Sequence, residues 1–379
     1  MNKMTILLIM LVTLFSGCAK DEEPSAMDTE ILYTMPKGIE PHEGTWLQWP
    51  HHYQYGVEYR DELDPTWVAM TEALISGENV HIIAYNQTEQ NRIIGLLNTA
   101  NISLENIDFY IHRTDDTWVR DNGPIFVYDR NGNLTIQDWG FNAWGEKIDE
   151  LSGFPIEFEN CDAIPSLLGA DLNKTVVDLN DIMINEGGSV VIDGNGTLMA
   201  CKSSILNDNR NPGMTQAGAE SIFKKYLGVT NFIWLEGQAG LEVTDQHIDG
   251  FAVFGNSNTI VTMNNNDLLE YDVLQRDIDI LYAATNKDGV LYTFLEVPLT
   301  QNTVKKTDGT DLNIRGSYIN YYIANDAVLV PNYNDPNDSV ANGIIQTLYP
   351  NRAVVGIDVR NLYQNGGMVH CVTQQQPIE

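Results

Sequence analysis

Apolar and polar positions follow two rhythms along this chain, and the rhythms take turns. Short apolar runs predict strands at Asn79 to Tyr85, Ile107 to His112, Val176 to Leu179, Phe232 to Leu235, Tyr318 to Ile323, Ala327 to Val330 and Ala353 to Ile357. Between them, apolar residues recur at helical spacing. Pro65 to Ser76 carries Trp67, Val68, Leu74 and Ile75, with Pro near the start and Gly77 after the end. Gln87 to Thr99, Pro212 to Tyr226, Leu268 to Ala284 and Asp338 to Leu348 predict further helices. Two hairpins stand out. Ser189 to Asp193 returns through Gly196 to Lys202 around Asp193-Gly194-Asn195-Gly196, and Phe251 to Phe254 pairs with Thr259 to Met263 around Asn256-Ser257-Asn258. The order strand–strand–helix–strand recurs several times, which predicts a mixed α/β protein. Identity between the copies is too weak for spacing alone to establish a repeat. No low-complexity linker interrupts the chain after Thr29, so residues 31–379 read as one catalytic-sized domain.

The N-terminus reads differently. Lys3 precedes an apolar run from Met4 to Phe15, too short for a bilayer span and matched to the apolar region of a secretory signal. Leu14-Phe15-Ser16-Gly17-Cys18 looks like a bacterial lipobox. Residues 1–17 are therefore expected to be a signal peptide, Cys18 the lipidated residue, and residues 18–30 a flexible tether. That predicts an exported lipoprotein, periplasmic or attached to the outer membrane, touching membrane only through its lipid. Of the four cysteines, Cys161, Cys201 and Cys371 remain. Three is odd, so at least one thiol stays free; Cys161 and Cys201 either pair or are separate buried residues.

Charge narrows the partners. The chain has 21 basic and 52 acidic residues, a net charge of -31. So negative a surface disfavours nucleic acid and anionic membranes and favours cationic small ligands. Oligomeric state is left open, a homodimer included.

Four polar turns carry the chemistry, each beside glycine: Trp118-Val119-Arg120-Asp121-Asn122-Gly123-Pro124, Asn185-Glu186-Gly187-Gly188-Ser189, His247-Ile248-Asp249-Gly250, and Asn365-Gly366-Gly367 ahead of His370-Cys371. A cysteine in such a turn is a candidate nucleophile when a His and carboxylates stand elsewhere in the chain. This set suits attack on a guanidinium carbon. A guanidinium is flat and permanently charged and offers a fork of donors that carboxylates match. Asp121 and Asp249 are the candidate clamps, Cys371 the nucleophile, His247 the acid/base group, Glu186 its orienting partner and Trp118 a stacking face. Each residue also has a plain structural reading as a turn acid, a buried His or a core Trp. A Cys-His pair alone would equally fit a thiol protease or an acyltransferase. Metal chemistry finds less support: Asp193 to Thr197 lacks the acid a calcium loop needs downstream, and His51-His52 lacks a third ligand. No phosphate loop or dinucleotide fingerprint occurs, so neither cofactor nor metal is expected.

At these residues the chain resembles the agmatine deiminase / bacterial peptidylarginine deiminase family of guanidine-modifying penteins. The likeness runs from Pro41-His42-Glu43-Gly44-Thr45-Trp46-Leu47-Gln48-Trp49-Pro50 through Trp118 to Pro124, Glu186 to Ser189, Asn207 to Pro212, Tyr318 to Tyr322 and Pro331 to Asp338, and ends in His370 to Pro377. Departures stand at His51-His52-Tyr53, Gln246 and Met368. The resemblance implies a pentein fold, a five-bladed pseudo-symmetric α/β propeller of strand–strand–helix–strand units with the site at its centre. It implies hydrolytic deimination through a covalent amidino intermediate on Cys371. Asp121 and Asp249 would then hold the guanidinium, with His247 as acid/base and Glu186 in support. Agmatine is the expected substrate. An exported enzyme acting on arginine in peptides, and a non-catalytic binder of guanidino or polyamine ligands, are the rival readings.

Overall fold

Parallel strands cannot be joined by a tight turn; the chain must cross over, usually through a helix. That requirement organises the computed structural model, which describes residues 30–148 and 153–379. The leader, Cys18 and all but the last residue of the tether lie outside the described residues.

Among the described residues the strands form five sheets of three or four strands and one separate hairpin, Thr303–Lys305 with Asp311–Arg315. Every one of the five sheets contains an antiparallel pairing followed by a parallel one. In the first, Gln374–Pro377 runs antiparallel to His42–Gln48, which pairs in parallel with Asn79–Ala84, itself parallel to Ile107–Ile111. In the second, Tyr33–Thr34, Ile125–Asp129 and Leu134–Gly140 are antiparallel, and Val176–Ile184 adds in parallel. Val190–Ile192, Thr197–Cys201 and Asn231–Leu235 make the third. Ala252–Asn256, Thr259–Thr262 and Thr293–Glu296 make the fourth. Tyr322–Ile323, Ala327–Asn332 and Ala353–Asp358 make the fifth. The protein is thus a mixed α/β fold. Strands with a parallel neighbour are covered on both faces, so they read as continuous apolar runs: Val80, Ile82, Ile83 and Ala84, or Val328, Leu329 and Val330, all buried.

Local chemistry sets the helix limits. Asn86 Oδ1 accepts the Glu89 amide at 3.0 Å and starts Gln87–Thr99. Thr215 Oγ1 accepts the Gly218 amide at 3.1 Å and starts Gln216–Leu227, which ends at Gly228 with φ 76°. Elsewhere the structure departs from the pattern. The first helix begins at His52, well ahead of Pro65, capped by His51 Nδ1 on the Tyr53 amide; Gly56 at φ 87° interrupts it, and Pro65 lies inside it. Leu63, Trp67, Met70 and Leu74 form one buried stripe that carries the helix across the proline. The stretch predicted as one helix from Leu268 is two, Asn265–Glu270 and Gln275–Tyr282. Asp272 at φ 60° lets the Val273 amide reach Leu268 O at 2.9 Å, a left-handed cap that ends the first helix. Only Tyr322 and Ile323 of the Tyr318 stretch are strand. Asp193 works as a hairpin residue: it accepts the Asn195 and Thr197 amides and the Tyr292 hydroxyl. His51 is buried, and His52 sits 3.0 Å from Glu89. Cys161 and Cys201 are buried, unpaired thiols.

Candidate active site

Each of the predicted polar turns lies just ahead of a strand that pairs antiparallel with its neighbour. Asp121 lies on the short helix Val119–Asn122 that leads into Ile125–Asp129. Glu186 precedes the 3-10 turn Gly187–Ser189, which runs into Val190–Ile192. His247 and Asp249 flank the start of the turn Ile248–Gly250, ahead of Ala252–Asn256. Cys371 is central in the turn His370–Val372, ahead of Gln374–Pro377. The turns need glycine for close approach. A Cβ on Gly123 would stand 2.2 Å from Val119 O, and one on Gly187 2.1 Å from Arg120 O.

Gly188 marks where the turns converge. A methyl there would meet Asp121 Oδ1 and His247 Nδ1 at 2.8 Å and Asp249 Oδ2 at 3.0 Å. Its amide donates to Asp121 Oδ1 at 3.0 Å, and Trp144 Nε1 donates to Asp121 Oδ2 at 2.9 Å. His247 Nδ1 is 3.7 Å from Asp121, while its Nε2 lies 2.9 Å from Glu186 Oε2. On the other side the Cys371 thiol is 3.9 Å from Asp249 Oδ2 and 3.3 Å from Asn320 Nδ2. His370 Nδ1 is 2.7 Å from the same Asp249 oxygen. Asn320 Oδ1 accepts the His370 amide at 2.9 Å and Asn320 O lies 3.2 Å from the same amide, so both the side chain and the backbone of Asn320 serve the cysteine turn.

The electrostatics divide the site. Burial works against a charged His247, but the Asp121 and Glu186 carboxylates outweigh it and lift its pKa to about 9. Burial pushes Asp121 up to about 6, opposed by His247 and reinforced by Asp249. Glu186 is fully buried, yet His247 and Arg210 together hold it below the usual carboxylate range. Asp249 is likewise held down against burial, chiefly through the His370 hydrogen bond. Burial and the Arg120 charge lower His370, so that contact is a hydrogen bond from a neutral imidazole to an anion. Burial and the two aspartates push the Cys371 thiol well up, so without a cation beside it the thiol keeps its proton.

Trp118 is buried against the approach to the cysteine turn. Its ring lies where a Cβ on Gly367 would stand, 2.3 Å from Cζ3, and its indole supports the Asp116 carboxylate. Sequence reasoning missed four supporting residues: Arg210, His370, Asn320 and Trp144. Arg210 is wholly buried, with Nε 2.9 Å from Glu186 and Nη1 on Asp245. Three of the four fall in stretches that carried the family likeness or the candidate turns, but their partners lie too far along the chain to be read from spacing.

A profile of the Porphyromonas-type peptidyl-arginine deiminase family matches residues 34–377. A Pseudomonas aeruginosa agmatine deiminase is 31% identical over 362 residues, covering 91% of this chain and 95% of its own. Among solved structures, the agmatine deiminase of Enterococcus faecalis aligns with a TM-score of 0.78 at 26% identity, covering 91% of this chain and 96% of that one. A C. jejuni agmatine deiminase with substrate bound gives 0.76 at 27% identity, with the same coverage. The chain belongs to the Porphyromonas-type peptidyl-arginine deiminase family.

Proposed function

We propose that the protein is a hydrolase that deiminates agmatine, releasing ammonia and N-carbamoylputrescine. The observation that carries this reading is the convergence of Asp121, Asp249 and His247 on Gly188, with the Cys371 thiol 3.9 Å from Asp249. Asp121 and Asp249 take the guanidinium fork, and Trp118 lines its face. The arriving cation offsets the two carboxylates that hold the Cys371 proton in place; the thiol gives that proton to solvent water, and the thiolate forms beside the cation. The sulfur attacks the guanidinium carbon. The carbon–nitrogen bond breaks as His247 gives its proton to the departing ammonia, leaving an amidino group on Cys371. His247, now neutral, takes a proton from water; the hydroxide adds to the same carbon, the carbon–sulfur bond breaks as the new hydroxyl passes its proton to the departing sulfur, and the Cys371 thiol is restored. Glu186, anchored by Arg210, keeps His247 aligned.

The relatives named agmatine deiminase favour a free amine over a peptide as the substrate's tail. Arg120, the basic residue nearest the clamp, donates to His370 O and Gln375 Oε1 and is buried, so it is not free to receive a carboxylate. Side-by-side ammonia release from agmatine, arginine and a peptide ending in arginine tests this. Agmatine should lead, and Cys371→Ala should release none while remaining folded. A peptide preferred by more than about tenfold, roughly 1.4 kcal/mol in transition-state binding, would overturn the reading.

The finer architecture belongs to the same proposal. Each of the five sheets passes from antiparallel to parallel pairing, and four of them carry a site turn just ahead of a strand with an antiparallel neighbour. This supports a pentein, a five-bladed propeller closed around a pseudo-fivefold axis with the site at its centre, and residues 31–379 as one catalytic domain. We also propose that Cys18 carries lipid after cleavage of residues 1–17, supported by the Met4 to Phe15 run and the residues before Cys18. Fatty-acid labelling that survives Cys18→Ala, or an uncleaved chain in the native host's cytoplasm, would overturn this.

A further inference from the structure

Residues Ala143–Glu146 wind against the hand that L-amino acids prefer. Ala143, Trp144 and Glu146 have φ of 51°, 55° and 54°, with Gly145 at 91° among them. Trp144 and Gly145 have ψ of 38° and 39°. The Glu146 amide donates to Asn142 O at 2.7 Å and the Lys147 amide to Ala143 O at 3.2 Å. The segment is one turn of left-handed α-helix. Non-glycine residues visit that conformation singly, because Cβ crowds the next carbonyl. Three in one turn persist only where the surroundings over-determine them, and such places cluster at functional sites.

The surroundings here are the two halves of the candidate site. Trp144 is buried and donates its indole N–H to Asp121 Oδ2 at 2.9 Å, with its ring edge-on to Phe141. Gly145 faces the network that anchors Glu186: a Cβ there would stand 2.4 Å from Asn209 Nδ2 and 2.8 Å from Arg210 Nη1. Lys147 Nζ lies 2.9 Å from Asp245, which also holds Arg210. Asn142 ties the start, accepting the Gly145 amide at 2.8 Å and donating to Asn209 O at 2.9 Å. A right-handed turn would send Trp144 and Lys147 in other directions from the same backbone.

We propose that this left-handed turn is a positioning device, and that Trp144 is the positioning residue whose indole N–H fixes the Asp121 carboxylate toward the substrate's guanidinium. The proposal rests on the deiminase reading above. Asp121 has two oxygens and two fixed donors, the Gly188 amide on one and Trp144 on the other, so its plane is set before substrate arrives. Its charged neighbours are His247, Asp249 and Glu186 from the facing turns, Arg120 from its own turn and the Cys371 thiol. The Trp144 N–H is among the groups that favour its ionised form.

The test removes the donor and keeps the shape. Trp144→Phe, and Trp144 replaced by 3-benzothienylalanine, in which sulfur stands where the N–H was, are assayed for ammonia release from agmatine across pH. Both should move the acid limb up by about one pH unit, a tenfold change in proton affinity, so that kcat/KM falls about twofold at pH 7 and about ninefold at pH 5. The loss should shrink as pH rises. A folded benzothienyl protein with the wild-type acid limb overturns the role of Trp144. Glu146→Gly, at an exposed position of the turn, should raise Tm and leave turnover unchanged; a lowered Tm overturns the strained turn. If the wild-type protein releases no ammonia from any guanidine, the deiminase reading fails on its own. The Trp144 contact is then judged by carboxyl NMR titration of Asp121, which needs no turnover: a pKa raised by loss of the donor supports it, and an unmoved one overturns it.

Discussion

Asp121 and Asp249 are the same residue type, equally deep, and face the same gap, yet their proton affinities move in opposite directions. Burial raises both. Around Asp121 the fixed partners are neutral donors, the Gly188 amide and the Trp144 indole, and the cation that most opposes burial, His247, is shared with Glu186. The balance leaves Asp121 at about 6. Asp249 has the His370 N–H at 2.7 Å and the buried Arg120 charge nearby, and it stays low. Depth alone therefore does not set the charge of a buried carboxylate; the partner list does. Asp249 is held as an anion, and Asp121 is poised to respond to pH.

The difference can be broken most severely at the held anion. Asp249→Asn should cost about 3–5 kcal/mol in kcat/KM for agmatine, the loss expected when one member of a buried charge pair is removed. Asp121→Asn imitates the protonated state that Asp121 already approaches, and should cost less, about 1.5–3 kcal/mol, the worth of a hydrogen bond to a charge. An equal loss from the two substitutions, read from steady-state kinetics, would erase the distinction. Smaller again is the pH response. On the proposed mechanism Asp121 must be ionised to hold a cation and His247 protonated to release ammonia. The kcat/KM profile should therefore be a bell with limbs near 6 and 9, falling about tenfold, or 1.4 kcal/mol, per unit beyond each limb. Asp249→Asn should leave the acid limb standing, while Asp121→Asn should remove it. The smallest effect belongs outside the site. Lys202 and Glu236 lie 2.7 Å apart, closer than Arg210 and Glu186 at 2.9 Å, but the first pair is partly in solvent and the second is wholly buried. Lys202→Ala should change unfolding free energy by no more than about 1 kcal/mol in denaturant titration.

Much of the scaffold was legible because its signals are local. Gln87–Thr99 and Asp338–Leu348 match their sequence limits, the first where a polar cap and apolar spacing agree, the second on apolar spacing alone. The Pro65 limit failed because a buried stripe of Leu63, Trp67, Met70 and Leu74 outweighs a missing backbone donor. The Leu268 stretch failed because Asp272 took the left-handed geometry usually marked by glycine. The candidate turns were visible as polar clusters beside glycine, and the fold brings them to one place. What supports them was not visible. Arg210 meets Glu186, Asn320 meets Cys371 and His370 meets Asp249 across long stretches of chain, and no spacing rule relates such partners. Trp144 was hidden for another reason: only an uncommon backbone hand aims it at Asp121.

The strand Gln374–Pro377 joins the sheet begun by His42–Gln48, directly after the cysteine turn. In order of synthesis this makes the reactive thiol a late arrival. The clamps, the imidazole and the orienting glutamate can all be laid down while no nucleophile is present. A chain cut before Gly366 would lack the thiol and the strand that seats it in the same stroke. On the deiminase reading such a cut takes His370 as well, the partner that keeps Asp249 anionic, so the means of attack and half the grip on the cation would be lost together.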